Sequence, residues 1–592
     1  MESLKYKQEG FEATPEVISI SEKLLKSSAR PGTIDNKFKE LLPEETIKNV
    51  KSFFESLDGF SIKEVADYDT GIGVFSCTIK LYYGGKEMGL SNGKGTSYLF
   101  SRASAYAELY ERFCLLYFFS DPMCLTELHF KDQRKLPISE LIDSYSPIKR
   151  TDKRNVLHKS LSYLYGEEIP AVPFSRLTGG APYYASPLIL INLDGSNGMA
   201  AGNTLEEALV QGFSELMERS VEERIFYGEN ILEKVSDDLL KTSAPEVFQK
   251  VLAMKEKGYD ISFYDASRCT GLPVMVSLCL DRKRARHYVN VGSCPIFSIA
   301  VERTLTETFQ GVGNIENVPI KFIDNFAFVD ASKQAYEQFT MNGIQSSSES
   351  PYIHAGACNN VNTDVYLKDG TNAKMLEKIK EIAQRNMLNL YYRDFSLCDN
   401  IKAVWCYCPE LGNVLIKDSE DISNKELENL NKLEAFLKKE THSYSECIKL
   451  LGLLDYGLPV HSRVLCDKFY YSPVKGCLID YLKFAIYIKL GEYKEAEKIG
   501  VESLNALAKD CSTINHIRSF LSYKTMNYAK EDLQKYFSLW EMPKDLLEIL
   551  NEDGDKLDKL LIYDMFYGSQ YNKNIKNSKE VLAKVQRIIN KP

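Results

Sequence analysis

The segment SELMERSVEER, residues 214–224, carries four glutamates and two arginines in eleven positions. Read as a helix at about 100° per residue, it places Glu207, Gln211, Glu215, Glu218 and Glu222 within about 80° of one another. Like charges one turn apart repel by a few tenths of a kcal/mol per pair. Such a stripe either faces water or holds a cation. Leu205, Leu209, Phe213, Leu216 and Met217 fill the opposite arc, as a core-facing side should. For this helix alone, a solvated acidic face is the simpler account.

Two further segments change that balance. SRASAYAELYERF sets Glu108 and Glu111 at i,i+3 with Arg112 beside them, and VERTLTETFQG puts Arg303, Thr306, Glu307 and Gln310 on one stripe, with Glu302 nearby. The string E-L-x-E-R occurs twice, as ELYER and ELMER, each in a helix expected after a glycine-containing turn, SNGKGTS and SNGMAAGNT. Three acidic stripes, each carrying an arginine, predict one site assembled from three helices. Carboxylates suit hard cations, and Mg²⁺ is usually held by a few of them together with substrate phosphates. Arginine grips phosphate oxygens bidentately. Mg²⁺ arriving with a nucleotide accounts for both signs of charge. The glycine turns are not phosphate signatures, because SNGKGTS lacks the G-x-x-x-x-G-K-[ST] frame and GSNGMAAGN lacks G-x-G-x-x-G.

The elements that must position these residues are strands and long helices in alternation, an α/β (α+β) pattern. GIGVFSCTIKLYY, ASPLILINL, LPVMVSLCL, HYVNVG and LNLYYRDF read as strands from their β-branched, aromatic and other apolar content. Thr204 and Glu207 form a T-x-x-E capping box, which starts the SELMER helix. Residues 1–36 read as a polar extension, 37–425 as a mixed α/β domain and 426–592 as a helical region. Within the last, YLKFAIYIKLGEYKEAEKIGVESLNAL matches a tetratricopeptide hairpin, with Gly491 at the turn and Ala496 between the helices; a plain helical hairpin is the competing reading.

The chain of 592 residues is 44% hydrophobic and 26% charged, with a formal net charge of −9. That is a globular composition without the basic surplus of a nucleic-acid binder. No apolar run approaches the ~18 residues of a membrane span. The N-terminus has no apolar segment of the secretory kind, so the fourteen cysteines are expected as reduced thiols in the cytoplasm. Cys406 and Cys408, in AVWCYCPE, fall on one face of a strand and read as core rather than metal ligands. The seven histidines form no HxH or HExxH.

SNGKG followed by ELYER, then SNGMAAGNTLEEALVQGFSELMER, then VERTLTETFQG, resemble the YcaO superfamily in content and order. The resemblance covers residues 37–425, and the helical region resembles the tail of stand-alone bacterial members. It implies a YcaO-type ATP-binding domain of mixed sheets and long helices. It also implies ATP-dependent phosphorylation of a peptide backbone amide, with azoline, thioamide or amidine products according to the nucleophile. By motif, Glu108, Glu111, Glu215, Glu218 and Glu307 would hold Mg²⁺. Asn203, Glu207, Arg219, Arg303 and Gln310 would contact ATP, as would Lys39 and Thr46 in FKELLPEETIKNV. No catalytic residue is assigned. Two features depart from azoline-forming members: the chain ends VQRIINKP rather than in a PxPxP tail, and CYCPELG matches the family's Pro-Gly turn only loosely.

Stand-alone members are linked to β-methylthiolation of a ribosomal protein, as accessories to a radical methylthiotransferase. Three functions therefore stay open: an enzyme of that kind, a tailoring enzyme making a thioamide or azoline on a precursor peptide, and a non-catalytic ATP-binding scaffold. The expected partners are a peptide or protein substrate, a radical methylthiotransferase or sulfur donor and a second copy of the chain, with no nucleic acid and no membrane.

Overall fold

The computed structural model describes residues 37–115, 130–144, 167–226, 232–281, 286–310, 357–411, 442–455 and 478–502, with isolated positions elsewhere. The extension 1–36, most of the helical region and most of the acidic segment 418–440 lie outside the described residues.

A short turn leads into α1 (Pro43–Glu55). An antiparallel meander of β1 (Phe60–Asp69), β2 (Phe75–Tyr83) and β3 (Lys86–Gly95) follows. Its tight β2–β3 turn uses Gly84 and Gly85, both at positive φ, the conformation that matches the right-handed twist of the strands. Helix α2 (Tyr98–Cys114) starts at Ser97, whose side chain accepts from the Phe100 backbone N–H.

A second sheet has the order β4 (Arg134–Pro137), β5 (Glu168–Arg176), β13 (Tyr391–Asp394), β14 (Lys402–Tyr407), β7 (Met199–Gly202), with β6 (Tyr183–Ala185) paired to β5. A third has the order β11 (Arg286–Ser293), β10 (Val274–Asp281), β9 (Tyr259–Asp265), β8 (Glu233–Val235), β12 (Ala357–Cys358). All its pairings are antiparallel except β8 with β12.

Strand β14 divides the interior. Ala403, Trp405 and Tyr407 enter one apolar core with α1 and α2, while Val404, Cys406 and Cys408 enter a second core with the third sheet. The period of two along a strand sends alternate side chains to opposite faces, so both cysteines are core residues, as their spacing indicated. The second core is crossed by α4 (Leu205–Phe226), which buries Leu205, Leu209, Phe213, Leu216 and Met217 there.

Two expectations are corrected. ASPLILINL is not a strand: after Ala185 closes β6, Pro187 opens helix α3 (Pro187–Asp194). Consecutive Leu188, Ile189 and Leu190 are all buried, so the run has no polar face and periodicity carries no information. The flanking Ser-Pro, a favoured start for a helix, was the available signal. The glycine segments also differ from expectation. Gly93, Gly95 and Gly202 lie within β3 and β7 rather than in turns.

The remaining helices that matter here are α5 (Pro245–Glu256), α6 (Phe297–Glu307) and α7 (Asn372–Arg385), then α8 (Tyr444–Asp455), α9 (Leu478–Leu490) and α10 (Tyr493–Glu502). The last two form a hairpin with Gly491 at φ +79° in the turn and Ala496 fully buried. Residues 503–507 of the proposed repeat lie outside the described residues. The buried side chains of α8–α10 belong to neither of the two core clusters.

Candidate functional site

Three strand-to-helix units build one cavity: β3 into α2, β7 into α4 and β11 into α6. Each strand carries a glycine against the following helix. A Cβ on Gly93, Gly202 or Gly292 would lie under 3.0 Å from backbone atoms of Ser101, Ala208 or Thr304 respectively. Lack of a side chain therefore lets each helix backbone dock directly on its strand. The acidic stripes of α2, α4 and α6 then face a common space of about 410 Å³.

Lys39, Thr46, Glu108, Glu111, Asn203, Glu207, Glu215, Glu218, Arg219, Arg303, Glu307 and Gln310 all line this cavity. The simpler account of α4, a solvated face, does not hold. Glu222 is the exception on its stripe: it is buried outside the lining and bonded to Arg219 at 2.7 Å.

One end of the cavity is a hydrogen-bonded group spanning the N-terminal segment and α4. Thr46 Oγ1 donates to Asn203 Oδ1 at 2.8 Å, and Asn203 Nδ2 donates to the Glu207 carboxylate at 3.2 Å. Lys39 is ion-paired to Glu207 at 3.3 Å, and the Glu40 backbone N–H donates to the same carboxylate. Thr204 caps α4 through the Glu207 N–H at 3.2 Å. The reciprocal half of the expected box gives way to these longer-range partners.

The other end mixes cations and carboxylates. Arg112 pairs with Glu108 at 3.4 Å and Glu111 at 3.1 Å. Arg303 donates to Ser293 O at 2.6 Å and to Gln211 Oε1, tying α6 to β11 and α4. Gln310 donates to Asn92 O at 2.6 Å and accepts from Lys94 at 3.0 Å. Lys94 is also ion-paired to Glu307, and Glu218 accepts from the Ser293 N–H at 3.1 Å.

Burial pushes the Glu111 carboxyl up to about 8 and the Glu215 carboxyl up to about 7, against the opposing pull of Arg112 and Arg219. Glu222 is raised by burial to about 7, again opposed by Arg219. Arg219 is shifted upward, chiefly by Glu222. Desolvation pulls the Lys94 ammonium down to about 8 despite Glu218 and Glu108. Among the described residues, no three histidine, cysteine or carboxylate side chains gather closely enough to hold a metal by themselves. The donor set fits a metal carried by phosphate: few carboxylates for the ion, and lysine and arginine for the anion.

Sequence reasoning missed several lining residues. Lys94 was visible as the Gly-Lys of SNGKG but had no recognised frame. Lys37 forms ion pairs with Glu246 and, at 3.0 Å, with Glu302. Asn372 donates to Phe38 O at 2.9 Å and Glu40 Oε1 at 2.7 Å, pinning the entering segment to the rim. Lys37 and Phe38 sit at φ +53° and +61°, unfavourable for non-glycine residues, and these bonds hold them there. Nothing local marks Asn372, which lies more than 300 positions from its partners.

Residues 92–412 match the family model described as the ATP- and Mg²⁺-binding YcaO cyclodehydratase. The Escherichia coli (strain K12) ribosomal protein S12 methylthiotransferase accessory factor YcaO is 31% identical over 295 residues, 46% of this chain and 49% of that protein. An uncharacterised Haemophilus influenzae protein is 31% identical over 239 residues, 37% of this chain and 40% of that one. The match thus spans less than half the length of these curated relatives. Among solved structures, a heterocyclase in complex with substrate and cofactor is similar with a TM-score of 0.48 and 18% identity, over 65% of this chain and 54% of that one. A YcaO from Methanopyrus kandleri bound with AMPPCP and Mg²⁺ gives a TM-score of 0.42 and 16% identity, over 66% and 96%. A family model that covers more than half of the chain, over the very helices that wall the cavity, makes this protein a member of the YcaO family.

Proposed function

We propose that the protein activates a peptide backbone amide with Mg·ATP, in the manner of stand-alone YcaO proteins that assist methylthiolation of a ribosomal protein. The observation that carries this reading is the convergence of all twelve candidate residues on one cavity with both signs of charge. When bound, Mg·ATP supplies a phosphoryl group that turns an amide oxygen into a leaving group. Glu108, Glu111, Glu215, Glu218 and Glu307 would hold the metal. Arg219 and Arg303 would neutralise phosphate oxygens. Lys39, Thr46, Asn203 and Glu207, already bonded to one another, would form the opposite wall of the nucleotide site.

Calorimetry with Mg²⁺ and AMPPCP tests the site. Mass spectrometry of peptides and ribosomal proteins incubated with Mg·ATP and a sulfur source tests the chemistry. No binding in the first experiment removes the reading. Binding with no modified product and no ATP turnover favours a scaffold instead.

Arg219→Lys is expected to lower turnover at least tenfold with little change in melting temperature. Lysine keeps the charge that neutralises buried Glu222 but loses the planar fork that grips two oxygens. Unchanged turnover would leave Arg219 with the single task of neutralising Glu222.

The same reading divides the chain into a catalytic part, 37–425, and a helical part, 426–592, that recruits a methylthiotransferase, a sulfur donor or a second copy. Among the described residues, no helix is long and apolar enough to cross a membrane. A chain ending at residue 425 is expected to keep its affinity for Mg·AMPPCP. Folded, monodisperse protein that no longer binds nucleotide would mean the tail completes the site.

A further inference from the structure

The flanks of Lys94 are pinned. Gly93 and Gly95 lie so close to α2 that any side chain on either would collide with its backbone. Alternation along β3 sends the Lys94 stem to the other face of the strand, and its ammonium reaches Glu307 and Gln310. Glu108 and Glu218 attract it from two other helices. One tethered cation is thus shared among carboxylates of α2, α4 and α6, the groups assigned above to the metal. The same cavity offers no ready-made cage of three such ligands among the described residues.

We propose that Lys94 is a tethered counter-ion that holds the metal's place until a metal–nucleotide complex enters, and then becomes a contact of the phosphate chain. The inference rests on the nucleotide reading of the cavity. A bare divalent ion meets an ammonium of like charge, so it enters poorly. A metal–nucleotide complex brings excess negative charge, which draws the ammonium off the carboxylates and onto phosphate oxygens. Lys94 thereby makes binding of the metal conditional on the nucleotide.

The test titrates the full chain with Mn²⁺ alone and with Mn²⁺ plus AMPPCP, following free Mn²⁺ by electron paramagnetic resonance. Lys94→Met and Lys94→Gln both remove the charge, so a folding defect in one leaves the other to decide, and Lys94→Arg keeps it. Both neutral variants are expected to bind Mn²⁺ alone at least tenfold more tightly than wild type, and Mn·AMPPCP at least tenfold more weakly. Lys94→Arg should still exclude Mn²⁺ alone. A general structural defect weakens both affinities, so effects of opposite sign are diagnostic. Neutral variants that take up Mn²⁺ no better than wild type overturn the place-holding role, and unchanged Mn·AMPPCP affinity overturns the phosphate contact. Wild type that fails to bind Mn·AMPPCP overturns the nucleotide reading itself, an outcome visible before any variant is made.

Discussion

Glu215→Gln is expected to weaken Mg·nucleotide binding at least tenfold, about 1.4 kcal/mol or more, while the nucleotide-free protein melts at or above the wild-type temperature. Glutamine keeps the length and helix propensity of the side chain and removes a single negative oxygen. The carboxyl is costly without a cation, because burial beside Glu218 lifts it to about 7. Each unit of upward shift disfavours the charged form by about 1.4 kcal/mol. Neutralising Glu215 therefore relieves the empty site and harms the loaded one. A group that served only structure would show no such opposition. Wild-type affinity by calorimetry would remove Glu215 from the metal set, and a clear fall in melting temperature would make it a structural ion-pair partner of Arg219 or Arg112.

Gly93→Ala is expected to destabilise the protein by about 3 kcal/mol or more, at the upper end of overpacking costs, and to abolish nucleotide binding with it. The new methyl would collide with Ser101 O and Ala105 N, backbone atoms of α2 that cannot swing aside as a side chain can. Relief requires α2 to lift off β3, which moves Glu108 and Glu111 away from the other two helices. Gly84→Ala is the control. That residue sits in the β2–β3 turn at φ +55° with open space around it, so the variant bears only the cost of a Cβ in the left-handed region, roughly 1–2 kcal/mol, and keeps its nucleotide. Wild-type melting and affinity in Gly93→Ala would refute direct docking of the helix on the strand.

Much of this site was legible along the chain because helical spacing is a local property. Carboxylates at 108 and 111, and at 215 and 218, share a face in any α-helix those segments form. Their repetition with arginine in three segments pointed to one cation-and-phosphate site. The alternation in AVWCYCPE likewise placed Cys406 and Cys408 on one side of β14, and the structure buries both in the same core.

Other features had no local trace. Whether the α4 stripe faced water or a cavity depended on β3, β11, α2 and α6 closing over it, an outcome of apolar burial in two cores. Asn372, Lys37 and Lys94 acquired their places from chain segments hundreds of residues apart. ASPLILINL reads as a strand yet folds as a helix, because a run in which Leu188, Ile189 and Leu190 are all buried carries no periodicity to separate the two. Side-chain type and spacing are written in the sequence, and they determined which chemistry the chain can support and on which helix faces. Convergence of those faces is decided by packing, where close backbone docking at glycine and burial of apolar surface act across the whole fold. Only the tertiary structure therefore shows which charges meet.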